Sequence, residues 1–396
     1  MTTDLQNLIQ KKTDEYFEYM VQIRRHLHKN PEVSFKEFDT TDYILHELKK
    51  MKIETQQPME TGCLGVIRGN GSDRVIALRT DIDALAMEEE GDAKAEFISE
   101  RPGAAHCCGH DGHTANLLGT AKILTDLKDE IEGTIVLIFQ PGEEKLPGGG
   151  RELTETGALQ ELGVQEVYGL HTNPNYSPGQ VAVKPGPLMA CTVEFEVIVH
   201  GKGGHAAAPH TTIDPIVVAS QIITQFQTII SRSIDPTEPA VITVGKIEAG
   251  SAFNVIPESA RMLGTVRAFS METARFLKQR MEEVIKGTTQ ASGASYEFDF
   301  VEGYPAVLND ETCTGNVVKA AKAILGNENV INLKKPVMAG EDFAFYQQAF
   351  PGTFFFLGTG SDESDSKWSW HHPRYNIDER AFKTGAALMA GLALGA

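Results

Sequence analysis

Thr134-Ile-Val-Leu-Ile-Phe-Gln-Pro-Gly-Glu-Glu144 sets an apolar, largely β-branched run directly before a Gln-Pro-Gly turn and two adjacent carboxylates. The run Thr134–Phe139 has no polar alternation, which predicts a strand buried on both faces. Two other runs share this form. Arg74-Val-Ile-Ala-Leu-Arg79 stops at Asp81 and Asp83, and Val167-Tyr-Gly-Leu170 stops at His171. A helix is predicted between the runs at 74–79 and 134–139, over about 114–128. Strands alternating with helices imply an α/β domain whose largely parallel sheet is flanked by helices. Such sheets place ligands beyond the carboxyl ends of their strands, and the acidic and imidazole groups stand there.

The loop before that helix is Ala105-His-Cys-Cys-Gly-His-Asp-Gly-His113. Thiolate, imidazole and carboxylate are the side chains that bind zinc and its neighbours. With the strand ends, the candidate ligands are Cys108, His110, Glu144, His171 and one of His371 or His372. Mixed sulfur, nitrogen and oxygen donors suit zinc, manganese or cobalt, and do not suit magnesium or calcium. A bridging Cys108 thiolate would complete a pair of ions ~3.5–4 Å apart. Of Glu143 and Glu144, one can bind metal while the other takes a proton from an activated water. Some residues have plainer readings. His106 and His113 can simply shape the loop, and Asp81 and Asp83 can cap a turn. His26, His28 and His46 read as surface residues on helices rich in lysine.

Around this core, residues 4–29 keep helical spacing up to Pro31, and a second helix is expected over 40–51. The middle of the chain has another rhythm. Thr192–Val199 alternates as a half-exposed strand, and Asp214-Pro215 opens an apolar helix face. Ala240–Gly245 and Arg261–Arg267 read as strands, 271–287 as a helix and Ser295–Phe300 as a strand. The order β-α-β-β-α-β is that of the ferredoxin-like split unit. It is expected as an inserted domain at 187–297, dividing a catalytic domain into 1–186 and 298–396. Thr353–Leu357 reads as a further strand, a helix follows from about 379, and the final AALMAGLALGA packs as a terminal helix.

The 396 residues are 41% hydrophobic and 23% charged, enough for two cores. A net charge of −18 argues against nucleic acid or an anionic membrane as partner. Five cysteines make no disulfide framework, and Cys63, Cys191 and Cys313 read as inert buried thiols. The first residues are polar, and no apolar run approaches the ~20 residues of a membrane span. A cytoplasmic enzyme is expected.

Several stretches together resemble the hippurate hydrolase and indole-3-acetyl-amino-acid hydrolase branch of the aminoacylase–carboxypeptidase metallopeptidases. They are Arg24–Glu32, Leu78–Leu85, Cys108-Gly-His-Asp111, Phe139–Glu144, Gly169-Leu-His171, Gly203–His210, Asn254-Val-Ile-Pro257, Gly340–Phe343 and His371-His-Pro373. The resemblance covers essentially the whole chain. It implies a zinc-peptidase-like catalytic domain with an inserted lid and dimerisation domain, in a homodimer or a dimer of dimers. It implies two divalent ions per subunit, zinc or manganese with cobalt also suitable. Cys108 would bridge them, with His110, Glu144, His171 and His371 completing the shell. His371 is preferred to His372 because it holds the family's position before X-Pro. Glu143 would be the general base, and Asp83 would orient a ligand. His205 would reach the partner subunit's site to steady the oxyanion, and Asn254 and Arg267 would lie near the substrate carboxylate. Ala86, Gly142 and Cys107 depart from frequent family residues without removing a ligand. The implied reaction is hydrolysis of the amide of an N-acyl-amino acid or small peptide. A cysteine-nucleophile amidase using Cys107 or Cys108, and a non-catalytic binding protein on the same fold, are its rivals.

Overall fold

A computed structural model describes residues 2–395. Met1 and Ala396, the outer ends of the expected domain ranges, lie outside the described residues. The chain divides into two compact units. One comprises Met1–Leu188, Leu308–Pro336 and Asp342–Ala396, and the other Met189–Val307 with Val337–Glu341.

The first unit is a mixed α/β fold on a sheet of eight strands. In chain order these are β1 (Glu54–Gln56), β2 (Cys63–Arg68), β3 (Asn70–Asp81), β4 (Glu132–Gln140), β5 (Glu166–Asn173), β6 (Val181–Val183), β7 (Val330–Asn332) and β8 (Gly352–Gly358). Their order across the sheet is β1-β2-β4-β3-β5-β8-β6-β7. The central run β4-β3-β5-β8 is parallel, as is β6 with β7. The edge pairs β1–β2 and β2–β4, and the pair β8–β6, are antiparallel. The sheet is therefore mostly parallel. Its central strands are buried along their apolar runs, as strands covered on both faces must be. The carboxyl ends of β3, β4 and β5 bring Asp81, Gln140 and His171 to one edge.

Two helices depart from the sequence expectation. The helix expected over 4–29 is two, Thr3–Glu15 and Phe17–Lys29, separated at Tyr16. Hydrogen bonds continue on both sides, from Tyr16 N to Lys12 O and from Met20 N to Tyr16 O. The apolar spacing runs through such a break unchanged, so periodicity does not register it. The helix expected from about 114 begins at His110 and ends at Asp126. Its residues His110–Ala121 are all buried, which leaves no polar face for a period to mark. Gly109 starts it with φ +96, and a Cβ there would lie 2.6 Å from Thr172 Oγ1. Only glycine fits that turn.

A buried ionic network ties this helix to its neighbours. Arg24, 1% exposed, donates to Asp111 Oδ2 at 3.0 Å, Glu379 Oε1 at 3.1 Å and Asn376 Oδ1 at 2.7 Å. His28 bonds Asp111 Oδ2 at 2.7 Å and Glu89 Oε2 at 2.9 Å, and Lys94 reaches the same Glu89 oxygen at 2.5 Å. His28 is thus a buried member of this network, correcting its expected place on the surface. Against the cost of burial, His28 and Arg24 hold Asp111 well below the usual carboxylate range.

The second unit holds an antiparallel four-stranded sheet, ordered 240–249, 259–268, 191–200, 295–302. Helices Pro215–Ser233 and Met271–Ser292 pack on it, and Phe226, Ile222, Leu277 and Met281 meet Val193, Phe195 and Val197 in the core. Asp214 caps the first helix by accepting from Ile216 N at 2.9 Å.

Arg24→Met should lower the unfolding free energy by about 3–5 kcal/mol, because it leaves the Asp111 carboxylate buried with one partner fewer. An unchanged denaturation midpoint would show that the network does not hold these elements together.

Candidate metal centre

Three loops meet at the carboxyl edge of the central strands. The turn after β4 carries Glu143 and Glu144, the loop before the His110 helix carries Cys108, and the end of β5 carries His171. Cys108, His110, Glu144, His171 and His371 are brought together there. Cys108 Sγ lies 3.4 Å from His171 Nε2. His110 Nε2 lies 3.9 Å from Glu144 Oε1, and His371 Nε2 lies 3.3 Å from that same oxygen. Glu143 is buried, and its carboxylate stands within 4.8 Å of His110 and Glu144.

The hydrogen bonds fix which atom each histidine turns inward. His110 Nδ1–H donates to Asp83 Oδ1 at 3.0 Å, which turns Nε2 toward Glu144. His171 Nδ1–H donates to Thr172 O at 2.8 Å, leaving Nε2 toward Cys108. A carboxylate or carbonyl behind an imidazole, selecting one tautomer, is how metal-binding histidines are oriented. Asp83 Oδ2 accepts from Glu144 N at 2.9 Å, so one carboxylate aligns two candidate ligands. His110 Nε2 is a buried atom without a hydrogen-bond partner among the described residues, and buried Glu144 Oε1 has only His371 Nε2 within ion-pair reach on its other side. Buried polar atoms that face one another without a hydrogen bond fit a cation between them, in place of the proton that His110 otherwise holds.

The electrostatics agree. Burial, followed by Glu144 and Glu143, raises the Cys108 thiol well above its usual range, so without a cation it stays protonated. Burial alone would lower His110, but Asp81, Asp83 and Glu144 push it up to about 10. Burial keeps His171 neutral, well below its usual value. The space is rich in acids and attracts positive charge.

His113 sits beside these groups without an inward lone pair. Its ring bonds Asp81 Oδ1 at 2.6 Å, and its Nε2 accepts from Thr172 N at 2.9 Å. His106 is buried, and burial lowers it to about 4. Of the two C-terminal histidines, His371 faces Glu144. It has φ +64, and its N–H donates to Cys107 O at 2.9 Å. His372 stacks on Trp368, ring centroids 4.4 Å apart, and accepts from Arg374 N at 3.1 Å.

The other expected site residues lie in the second unit. His205 pairs with Val255 in a short ladder, and Ala206 N donates to Asn254 O at 3.1 Å, so His205 and Asn254 are neighbours. Arg267 is half-buried on the strand 259–268, and its guanidinium donates to Val266 O at 3.0 Å and to Thr265 Oγ1.

Arg79, Gln140 and Asp342 lie in stretches that carry the family resemblance, but the sequence assigns them no role. Fully buried, Arg79 donates to Asp81 Oδ2 at 2.9 Å, Gln140 Oε1 at 2.8 Å and Asp342 Oδ1 at 2.7 Å. It thereby anchors Asp81 and the start of the Glu143 turn. An arginine closing an apolar strand run was the available signal, since a buried cation requires acidic partners.

Residues 77–395 match the peptidase family M20/M25/M40. The chain is 40% identical over 387 residues to IAA-amino acid hydrolase ILR1-like 4 of Arabidopsis thaliana, covering 96% of this chain and 86% of that protein. It is 40% identical over 377 residues to N-acetylcysteine deacetylase of Bacillus subtilis, covering 95% and 96%. A solved structure of the Bacillus subtilis YXEP protein, described as a dinuclear metal binding peptidase of the M20 family, superposes with a TM-score of 0.82. Its sequence identity is 35%, over 96% of this chain and 98% of that one.

Cys108→Ser should weaken metal binding while Cys107→Ser leaves it intact, because only Cys108 Sγ faces His171. Asp83→Asn should cost ~10–100-fold in metal affinity by releasing the His110 tautomer. Wild-type metal content in purified Cys108→Ser protein would remove the thiol from the ligand set.

Proposed function

The chain belongs to the peptidase family M20/M25/M40 and carries out metal-dependent amide hydrolysis; on that footing we propose that it cleaves N-acyl-amino acids or small peptides with Glu143 as general base. The observation that carries this reading is the convergence of Cys108, His110, Glu144, His171 and His371 around orphaned His110 Nε2 and Glu144 Oε1. These five residues would hold two divalent ions, zinc or manganese, with Cys108 between them. Bound there, such ions would supply polarisation of a substrate carbonyl and a water acidic enough to lose a proton at neutral pH.

The chain's own groups do the rest. Glu143, adjacent to a ligand, takes the proton of the attacking water and delivers it to the leaving nitrogen. Asp83 holds His110 and Glu144 in register. The second unit's element order, β-α-β-β-α-β, supports reading residues 187–297 as a ferredoxin-like lid and dimerisation domain. In a homodimer, His205 would steady the oxyanion in the partner's site, and Asn254 and Arg267 would meet the substrate carboxylate. The relatives' names, an amino acid conjugate hydrolase and an N-acetylcysteine deacetylase, favour acyl-amino acids over long peptides. Five free, buried cysteines suit a reducing compartment such as the cytoplasm. No helix among the described residues is long and apolar enough to cross a membrane.

The contact between Cys108 and His171 superficially resembles a thiol–imidazole catalytic pair. A nucleophilic cysteine needs a lowered pKa, and here burial and neighbouring carboxylates raise it. Chelation therefore should abolish turnover of N-acetyl, N-benzoyl and dipeptide substrates, and added zinc, manganese or cobalt should restore it. Activity that survives complete metal removal would favour the thiol mechanism.

Glu143→Gln should keep its metal and lose ~10²–10⁴-fold in kcat. Near-normal turnover in metal-replete Glu143→Gln protein would take Glu143 out of that role. Dissociating inactive His205→Ala and Glu143→Gln dimers and reassociating them together should restore activity, since each hybrid has one site with both residues. Hybrids verified by mass spectrometry but lacking turnover would confine His205 to its own subunit.

A further inference from the structure

The turn that carries Glu143 is held by a segment that supplies neither ligand nor base. Glu37 is fully buried, and its Oε1 accepts from both Gly142 N, at 2.8 Å, and Phe35 N, at 2.9 Å. Its Oε2 accepts from Thr61 Oγ1 at 2.9 Å. Glu37 stands at the N-cap of helix Phe38–Lys50, yet its side chain makes no capping bond there. The carboxylate instead reaches across to the residue preceding Glu143. Phe35 and Gly142 both have φ +64, and a Cβ on Gly142 would stand 2.5 Å from the Phe35 ring. The ring therefore lies against a backbone that only glycine leaves open. Ser34 Oγ donates to Asp83 Oδ2 at 2.7 Å, the oxygen that also accepts Glu144 N. Residues 34–37 thus touch the turn before the base and the carboxylate behind the ligands.

We propose that Glu37 is a positioning residue for amide hydrolysis: by fixing the Gly142 and Phe35 N–H groups on one carboxylate oxygen, it sets the aim of Glu143. The inference rests on the reading of Glu143 as general base. A displacement of ~1 Å at a catalytic group can cost ~100-fold in rate. Burial, with Asp83 second, pushes the Glu37 carboxyl up to about 7, so an uncharged acceptor of the same shape is compatible with the site. Glutamine offers one: its carbonyl can accept from both N–H groups, and its amide can donate to Thr61.

The test is a double-mutant cycle on the metal-loaded enzyme, with kcat, KM, metal content and melting temperature measured for each protein. Glu37→Leu should lower kcat ~10–100-fold with KM and metal content unchanged, and Glu37→Gln should stay within ~3-fold of wild type. Placed in a Glu143→Gln background, Glu37→Leu should cause no further loss, because the group it aims is already gone. A general structural defect would lower the residual rate equally in both backgrounds, and that result would overturn the proposal. So would full kcat in Glu37→Leu. If Glu37→Leu does not fold, Glu37→Asp, whose carboxylate is one methylene short of Gly142, carries the same cycle with the same criteria. An inactive Glu143→Gln enzyme with a fully active Glu37→Leu enzyme overturns the role of Glu37 alone. A fully active Glu143→Gln enzyme overturns the base assignment, and the role of Glu37 with it.

Discussion

Acids buried together without compensating charge would drive the edge of this sheet apart, and the catalytic unit is arranged around that problem. Cys108, Asp81, Asp83, Glu143 and Glu144 crowd one space, where Arg79 pairs with Asp81. The protein's own answer is to hold protons, on the Cys108 thiol and on His110. Divalent cations would answer it better, because each would carry two charges and take the place of the proton on His110 beside Glu144. Positive charge in that space is what the neighbouring loops are built to receive.

The surrounding contacts are consequently directional. Asp83 selects the His110 tautomer and holds Glu144 N, Thr172 O orients His171, and Cys107 O holds the backbone of His371. Arg79 holds Gln140 and Glu37 holds Gly142, the residues on either side of Pro141 ahead of Glu143. Each is a buried polar group with defined partners, so each is worth more in position than in bulk stability.

Much of this was legible in the sequence, and what was hidden shares a physical reason. The parallel strands showed because Thr134–Phe139 and its counterparts are uninterrupted apolar runs. Cys108, His110, Glu144 and His171 showed because each stands just past such a run or in a dense cluster of donors, whereas His371 was separated from His372 only by the family resemblance. The Tyr16 break, the start of the helix at His110 and the burial of His28 did not show. Periodicity passes through a one-residue break, vanishes on a helix buried on every side, and cannot tell a paired buried histidine from a solvated one. Arg79 and Glu37 were hidden more deeply. Their meaning lies in partners 61, 263 and 105 positions away, and a lone charged residue in the sequence carries no mark of them.

The central claim is that the buried acids form a two-cation site bridged by the Cys108 thiolate. Reconstituting the metal-free protein with cobalt(II) tests it directly, by counting the ions bound and recording the near-ultraviolet spectrum. The account predicts two cobalt ions per chain and a thiolate-to-cobalt charge-transfer band that is absent in Cys108→Ser. One ion or none, or saturation without that band, would contradict it.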